Sequence, residues 1–124
     1  MPEEKILIET EFCEISHLDY LFILHIKKLR ESHDMTQQEL SKKMGVSKSF
    51  VGNVESFVQR HKYSIRHITL LAKAFQYESL AKLMDFETPK YDIIKLTLKV
   101  TKAIKENGKV RNKSVEVIEL SEVQ

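Results

Sequence analysis

The sequence predicts a mainly α-helical protein with five helices and a C-terminal β-hairpin appendage. Its 124 residues include only three glycines and two prolines, which is typical of a substantially helical chain rather than a loop-rich sandwich. Apolar residues recur at helical spacing in the first two thirds of the chain, and the period shifts towards two after Pro89. The length and the 42% hydrophobic content suit one domain of ordinary size with a buried core.

The composition also excludes several classes of protein. The single cysteine, Cys13, excludes an intramolecular disulfide framework and a cysteine-based zinc ribbon. No apolar run reaches the ~18 residues that a membrane span needs. The N-terminus carries acidic residues where a signal peptide would have a basic region. We therefore expect a cytoplasmic protein that has no membrane partner.

Capping signals set the expected bounds of the helices. Helix-capping residues precede four expected helices: Ser16, Thr36, Ser47 and Ser64. Glu39 completes a capping box with Thr36, and Gly45 ends the second helix where a left-handed residue is wanted. A short fifth helix is expected around Ser79–Met84. The first helix is apolar nearly all round between Leu18 and Leu24, so we expect it to need more than one neighbour.

The C-terminal region has the pattern of two β-strands. Apolar and polar residues alternate from Asp92 onward and again near the C-terminus, and Asn107-Gly108 lies between them as a hairpin turn signal. Pairing about this turn sets two apolar pairs on one face: Val100 with Val115, and Leu98 with Val117. A two-stranded hairpin is marginal alone. It must therefore pack on the helices, on a partner chain, or on residues 5–13 as a third strand.

These patterns divide the chain into three segments. Residues 1–15 form an N-terminal segment that suits a strand, and residues 16–88 form the helical domain. Residues 89–124 form the hairpin, which we expect to be the dimerisation element because its apolar face and the first helix are each incompletely buried alone.

Two short helices with a glycine-bearing link, at Gln37–Glu55, form a helix-turn-helix signature. Ser41 is the small residue that a close helix crossing needs, and Gly45 permits the turn. Apolar residues at the required spacing share a core between the two helices: Leu40, Met44, Val46, Val51 and Val54. Residues 26–76 carry ten basic and four acidic residues, and such a basic block is typical of a protein that binds nucleic acid.

The segment from about Asp19 to Met84 resembles the Cro and phage-repressor family, which is the XRE type of helix-turn-helix protein. The resemblance lies in the T-Q-x-E-L start at Thr36–Leu40, the M-G-V-S turn at Met44–Ser47, Glu55, and the L-A-K-A-F run at Leu71–Phe75. It implies a five-helix, lambda-repressor-like domain that binds operator DNA, usually as a symmetric dimer. The chain departs from the family at Phe57, where Gly is usual, at Tyr63, where Pro is usual, and in a longer loop between them.

The third helix presents its polar side to the expected DNA. Because Val51 and Val54 face the core, the opposite side carries Lys48, Ser49, Gly52 and Asn53. Asn suits adenine, Lys suits guanine, and Ser suits either a base or a phosphate. Gly52 lowers helix stability by roughly 1 kcal/mol relative to Ala, which indicates a need for close backbone approach. Gln37 matches the phosphate clamp that the resemblance implies.

Other residues complete the predicted DNA-binding set. Phe50 lies on the rim of the recognition helix, where satellite packing or dimer contact competes with contact to a thymine methyl group. Arg60 and Lys62 lie in the long loop, where they can reach phosphates. The predicted DNA-binding residues are Gln37, Ser47, Lys48, Ser49, Phe50, Gly52, Asn53, Arg60 and Lys62. The five histidines show no metal-ligand spacing, and no nucleophile or phosphate loop indicates an enzyme or a cofactor.

The sequence therefore predicts a sequence-specific regulator of transcription that binds double-stranded DNA. The simplest form is a repressor that occupies a palindromic operator as a homodimer. Two alternatives remain open. One is the antitoxin of a toxin–antitoxin pair, which binds its operator and a toxin. The other is a protein-interaction module that has kept the fold and lost DNA binding, which the polar recognition face disfavours.

Overall fold

The computed structural model describes residues 4–58 and 61–124, and these form two compact units. The helical unit runs from Ser16 to Asp92. The sheet unit combines the residues before Ser16 with residues 93–124. The chain therefore leaves the sheet unit to build the helical unit and then returns to complete the sheet.

The helical unit contains four α-helices among the described residues. They are α1 (His17–Ser32), α2 (Gln37–Met44), α3 (Phe50–Ser56) and α4 (Ile65–Ala74). The Ser16 hydroxyl accepts a hydrogen bond from the backbone N–H of Asp19 at 2.9 Å, and Thr36 and Glu39 form the predicted capping box. Gly45 ends α2 with φ at 74°, the left-handed conformation that the sequence predicted.

The start of α3 differs from the prediction. The helix begins at Phe50 with Ser49 as its N-cap, whereas Ser47 was expected to cap it. The Phe50 N–H donates to the Ser47 carbonyl at 3.0 Å, so a tight turn precedes the helix. This turn takes up residues that periodicity alone assigns to the helix.

The predicted five-helix, mainly α fold class is wrong. The described residues form four helices and a three-stranded antiparallel sheet, which is an α+β fold. The expected fifth helix at Ser79–Met84 is a set of turns, in which the N–H groups of Leu83 and Met84 both donate to the Leu80 carbonyl. A single helical turn fixes several dihedral angles for one or two hydrogen bonds. Burial of Leu83, which is fully inaccessible to solvent, holds these turns in place instead.

The sheet has the order β1-β2-β3, with β1 at Lys5–Ser16, β2 at Ile93–Ile104 and β3 at Val110–Glu122. β2 and β3 pair antiparallel, and the two predicted pairs are present, Val100 opposite Val115 and Leu98 opposite Val117. The register shifts between Thr97 and Leu98 and again between Thr101 and Lys102. The sequence left three packing partners open for the hairpin, and the structure shows one of them, residues 5–13, which pair with β2 as a third strand.

The central strand β2 carries the core of the sheet. Its alternate apolar residues are at most 1% exposed: Ile94, Leu96, Leu98 and Val100. Lys and Thr residues occupy the positions between them, so only one face of β2 is fully buried. The two-residue period in the sequence therefore identified the buried face correctly.

The helical unit has its own core, to which each helix contributes. Fully buried side chains come from all four helices: Ile23, Ile26, Leu40, Val51, Val54 and Leu71. Helix α1 has neighbours on more than one side, because Tyr20 packs on Phe57 and Phe22 packs on both Tyr63 and Phe86. The predicted cover is incomplete, since Leu18 is 50% exposed. Within the parts of the chain that the structure describes, no helix has the length and apolarity to cross a membrane.

Phe57 ends α3 in a left-handed conformation that normally favours glycine. Its φ is 62°, and its side chain is buried with the ring 5.4 Å from that of Tyr20. A bulky residue with positive φ is strained by roughly 1–2 kcal/mol. The chain therefore accepts backbone strain at the position where the resembling family has Gly, and gains a buried aromatic contact there.

We expect Phe57→Ala to destabilise the protein by about 3–5 kcal/mol because it removes a buried ring. Phe57→Gly should cost about 1 kcal/mol less, since it removes the same ring but also relieves the positive φ. Urea unfolding of both variants, followed by circular dichroism, measures the difference. Equal stability of the two variants would show that the backbone at residue 57 is not strained.

Candidate nucleic-acid interface

Helices α2 and α3 cross closely because Ser41 is small and fully buried between them. Its hydroxyl oxygen accepts a hydrogen bond from the backbone N–H of Val51 at 3.1 Å. This N–H lies in the first turn of α3, where no intrahelical acceptor is available. The sequence predicted the small residue, but the structure adds that Ser41 also holds the start of α3 against α2.

The predicted base-reading residues lie on the exposed side of α3 and the turn before it. Lys48 and Ser49 are exposed, whereas Gly52 and Asn53 are half-buried. Ser49, Gly52 and Asn53 are three and four residues apart and so share one helix face. The Asn53 backbone N–H donates to the Ser49 carbonyl at 2.9 Å, while its side-chain amide makes no hydrogen bond with the described part of the chain. The amide is thus available to a base edge.

Gln37, the first residue of α2, extends across α3 at Gly52. Its Nε2 donates to Glu55 Oε1 at 3.0 Å. A Cβ atom added to Gly52 would lie 3.1 Å from the Gln37 Oε1, which is too close for an ordinary contact. The group that approaches Gly52 in the structure is the Gln37 side chain, and a close approach of the Gly52 backbone to DNA stays a prediction. Glycine at residue 52 lets Gln37 stay beside the recognition helix.

A buried ion pair between Arg30 and Glu55 joins the last turn of α1 to the last turn of α3. Arg30 Nε donates to Glu55 Oε2 at 2.8 Å, and Arg30 Nη2 donates to Glu55 Oε1 at 2.9 Å. Arg30 Nη1 also donates to the Met35 carbonyl at 2.7 Å. The side chains are only 11% and 3% exposed. The same Glu55 carboxylate therefore orients both Arg30 and Gln37.

Sequence reasoning singled out Glu55 but missed Arg30. The hydrogen bond from the Arg30 side chain to Glu55 is the main reason that the Arg30 pKa is raised, and it outweighs burial, which lowers it. One signal was present in the sequence. Arg30 follows Phe22 and Ile26 at four-residue spacing, so the guanidinium lies on the buried face of α1. A charge in an apolar stripe indicates a buried partner.

Phe50 packs inside an aromatic cluster that joins α3 to α4. Its ring centroid lies 4.6 Å from that of His67 and 5.9 Å from that of Tyr63. Tyr63 is 6% exposed, and burial raises the pKa of its hydroxyl, which has no hydrogen-bond partner among the described residues. These contacts give Phe50 the packing role that competed with DNA contact at the sequence level.

The neutral imidazole of His67 caps the start of α4. Its Nδ1 accepts a hydrogen bond from the Ser64 backbone N–H at 2.9 Å. Burial, with the nearby charge of Arg66 as a smaller cause, lowers the His67 pKa. The acceptor form of the ring is therefore favoured where the aromatic cluster meets α4.

The predicted DNA-binding residues outside α2 and α3 have different surroundings. The Lys62 ammonium lies 3.5 Å from the Asp19 carboxylate, and the Lys62 side chain is 64% exposed. Arg60 lies outside the described residues. Ser47 is exposed in the turn before α3. Among the residues with described positions, no cluster of His, Cys, Asp or Glu is arranged to hold a metal ion.

The arrangement defines a helix-turn-helix protein, in which two short helices are crossed at a glycine turn and a third element supports them. Residues 26–83 match the model of the family described as helix-turn-helix. This segment, a little under half of the chain, matches the XRE type of helix-turn-helix, which is found in DNA-binding transcription regulators.

Solved structures of similar chains include two restriction-modification controller proteins. C.AhdI from Aeromonas hydrophila is 30% identical, and the match covers 51% of this chain and 91% of that chain with a TM-score of 0.43. A point mutant of C.Esp1396I is 24% identical over 53% of this chain and 80% of that chain, with a TM-score of 0.45.

A hypothetical transcription factor, NHTF from Neisseria, is also similar. It is 20% identical over 56% of this chain and 72% of that chain, with a TM-score of 0.44. No curated protein sequence matches the chain significantly.

We expect Arg30→Met to destabilise the protein by about 3–5 kcal/mol, because it leaves the buried Glu55 carboxylate without its countercharge. The double variant Arg30→Met with Glu55→Leu should recover most of this loss, since no buried charge then remains. Lys62→Met is the matched control, because it removes an exposed pair worth at most about 1 kcal/mol. Urea unfolding of the four proteins measures these differences. An Arg30→Met variant as stable as the control would contradict the proposed role of the pair.

Proposed function

We propose that the protein is a sequence-specific repressor that occupies a palindromic double-stranded DNA operator as a homodimer. One observation carries this proposal. The Arg30–Glu55 pair and Gln37 fix the two crossed helices, and the exposed side of α3 keeps polar side chains that are suited to base edges. The family assignment supports DNA as the ligand and regulation of transcription as the role.

The proposed recognition divides base contacts from phosphate contacts. Asn53 presents both a donor and an acceptor, which suits the N6 and N7 atoms of adenine in the major groove. Lys48 suits the O6 and N7 acceptors of guanine, and Ser49 suits a base or a phosphate. Gln37 is proposed to bind a phosphate at the N-terminus of α2, where the helix dipole favours an anion. Phosphate contacts set the register on the duplex, and base contacts supply the specificity.

Symmetric dimers read two half-sites about one turn of DNA, or ~34 Å, apart. We place the dimer interface outside the part that matches the family, in the sheet that residues 89–124 form with residues 5–13. The polar side of α3 supports a DNA-binding role over that of a pure protein-interaction module, for which an apolar recognition surface is expected.

We expect operator binding to depend steeply on salt. Each phosphate that the protein neutralises contributes about −0.9 to the slope of log K against log salt concentration. A dimer with several phosphate contacts in each half should therefore lose roughly 10³-fold or more in affinity between ~50 and ~200 mM salt. Fluorescence anisotropy with an operator obtained by selection from random DNA measures the slope. A flat salt dependence would count against DNA as the ligand.

Asn53→Ala and Gln37→Ala should fail in different ways. Asn53→Ala should weaken binding to the best site by about 1–3 kcal/mol and relax the preference at one base position. Gln37→Ala should weaken binding to all sites by a similar factor, because a phosphate contact carries no sequence information. Selection and anisotropy with each variant separate the two patterns, and Lys113→Ala, in the exposed part of β3, is a control. Wild-type affinity and preference in both variants would mean that the recognition face is misassigned.

A further inference from the structure

Strand β1 forms an edge of the sheet and is open along its first half. The strand order β1-β2-β3 leaves one side of β1 without a neighbouring strand in the described sheet. Lys5, Ile6, Leu7 and Ile8 are all exposed, so neither face of this part of the strand is covered. An open edge presents unpaired backbone N–H and C=O groups, which form a template for another strand.

The open edge carries a row of large apolar side chains. Ile6, Ile8 and Phe12 are 51%, 58% and 58% exposed, and their even numbering places them on one face of β1. The Lys95 ammonium lies 4.4 Å from the centroid of the Phe12 ring. Because Lys95 alternates with the buried Ile94 and Leu96, this row lies on the solvent face of the sheet. An exposed apolar row on an unpaired edge strand indicates an association surface.

We propose that a second copy of the chain pairs with this edge, β1 to β1 and antiparallel, about a two-fold axis at Ile8. This inference rests on the dimer of the proposed function and names its contact surface. The two three-stranded sheets then join into one sheet of six strands. The contact is isologous, because each copy offers the same strand to the other, and so it closes at two copies.

Charge selects the position of the axis. In a dimer with a two-fold axis normal to the sheet, two residues that lie opposite each other always point to the same face of the sheet. An axis at Ile8 sets Lys5 opposite Glu11 of the second copy, twice in the dimer. An axis at Glu9 sets Glu9 opposite its own copy, and an axis at Thr10 sets Glu9 opposite Glu11. Like charges directly opposite are destabilising, whereas opposite charges stabilise.

An axis at Leu7 is the remaining position with complementary charge. It sets Lys5 opposite Glu9, but the Glu9 carboxylate already accepts a hydrogen bond from the Lys102 ammonium at 2.7 Å. The axis at Ile8 leaves this bond intact and also sets the two Ile8 side chains side by side on the solvent face. Directly opposite Cβ atoms lie about 4.5–5.5 Å apart, so the two exposed Ile8 side chains cover part of one another's apolar surface there.

Disulfide trapping in the full-length chain tests the axis. In a Cys13→Ala background, Ile8→Cys places two thiols at a Cα separation of about 4.5–5.5 Å, within the range for a disulfide. Ile6→Cys is the register control, because residue 6 and its copy are four positions apart along the strands, about 14 Å. Ile118→Cys, in β3 and 54% exposed, controls for random collision.

Mild oxidation followed by non-reducing electrophoresis should link Ile8→Cys into a covalent dimer at least tenfold faster than either control. Equal rates for the three variants would overturn the proposal, and faster linking at residue 6 would overturn the axis.

A charge reversal supplies an independent measurement. Lys5→Glu replaces two complementary pairs with two repulsive ones, so the dissociation constant of the dimer should rise at least tenfold. Lys5 is exposed, so the fold should be retained, and circular dichroism checks this. Lys113→Glu, an equal charge change in β3, is the matched control. Sedimentation equilibrium measures both constants, and equal effects of the two substitutions would overturn the proposal.

The two experiments separate this interface from the proposed function. If the wild-type chain is a dimer, Ile8→Cys shows no specific linking and Lys5→Glu does not weaken the dimer, the β1 interface is wrong. Intact operator binding in the same proteins would still support the repressor function. Specific trapping at residue 8 without any selectable operator supports the interface and counts against the DNA-binding function. A chain that is monomeric at every concentration overturns the interface.

Discussion

The buried ion pair between Arg30 and Glu55 is the constraint on which the DNA-binding geometry depends. Two buried charges are costly unless their hydrogen bonds are satisfied, and here the guanidinium donates to both carboxylate oxygens and to the Met35 carbonyl. The pair fixes the last turn of α3 against the last turn of α1. Because the carboxylate also accepts from Gln37, the start of α2 is held in the same network. The Glu55 carboxylate therefore fixes the positions of α1, α2 and α3 relative to one another.

The departures from the usual family pattern are compensated by aromatic packing. Phe57 occupies a left-handed position without the freedom of glycine, and its buried ring on Tyr20 offsets the strain. Tyr63 stands where proline is usual and packs edge-on against Phe22 and near Phe50. The loop between α3 and α4 is thus held at its ends by buried rings rather than by restricted backbone dihedrals.

In the sheet, the strand pairing that depends on a local sequence pattern could be predicted, whereas the long-range pairing could not. The two-residue period of β2 and the turn signal at Asn107-Gly108 are local, and they predicted the pairs that lie between the two register shifts of the hairpin. Strand β1 joins β2 from more than seventy-five residues away in the sequence. No turn signal marks such a pairing, so the third strand was one of three options, and the fold class was predicted as mainly α.

By itself, the sequence determined the helix-turn-helix, its capping box at Thr36, the glycine turn at Gly45 and the antiparallel hairpin, because each depends on residues close together in the chain. The tertiary structure decided the rest. Only packing shows that Arg30 lies against Glu55, since α1 and α3 are separated by twenty-five residues at that contact. Only the tertiary structure shows that Ser79–Met84 forms turns around the buried Leu83, because the helical preference of so short a segment is weak.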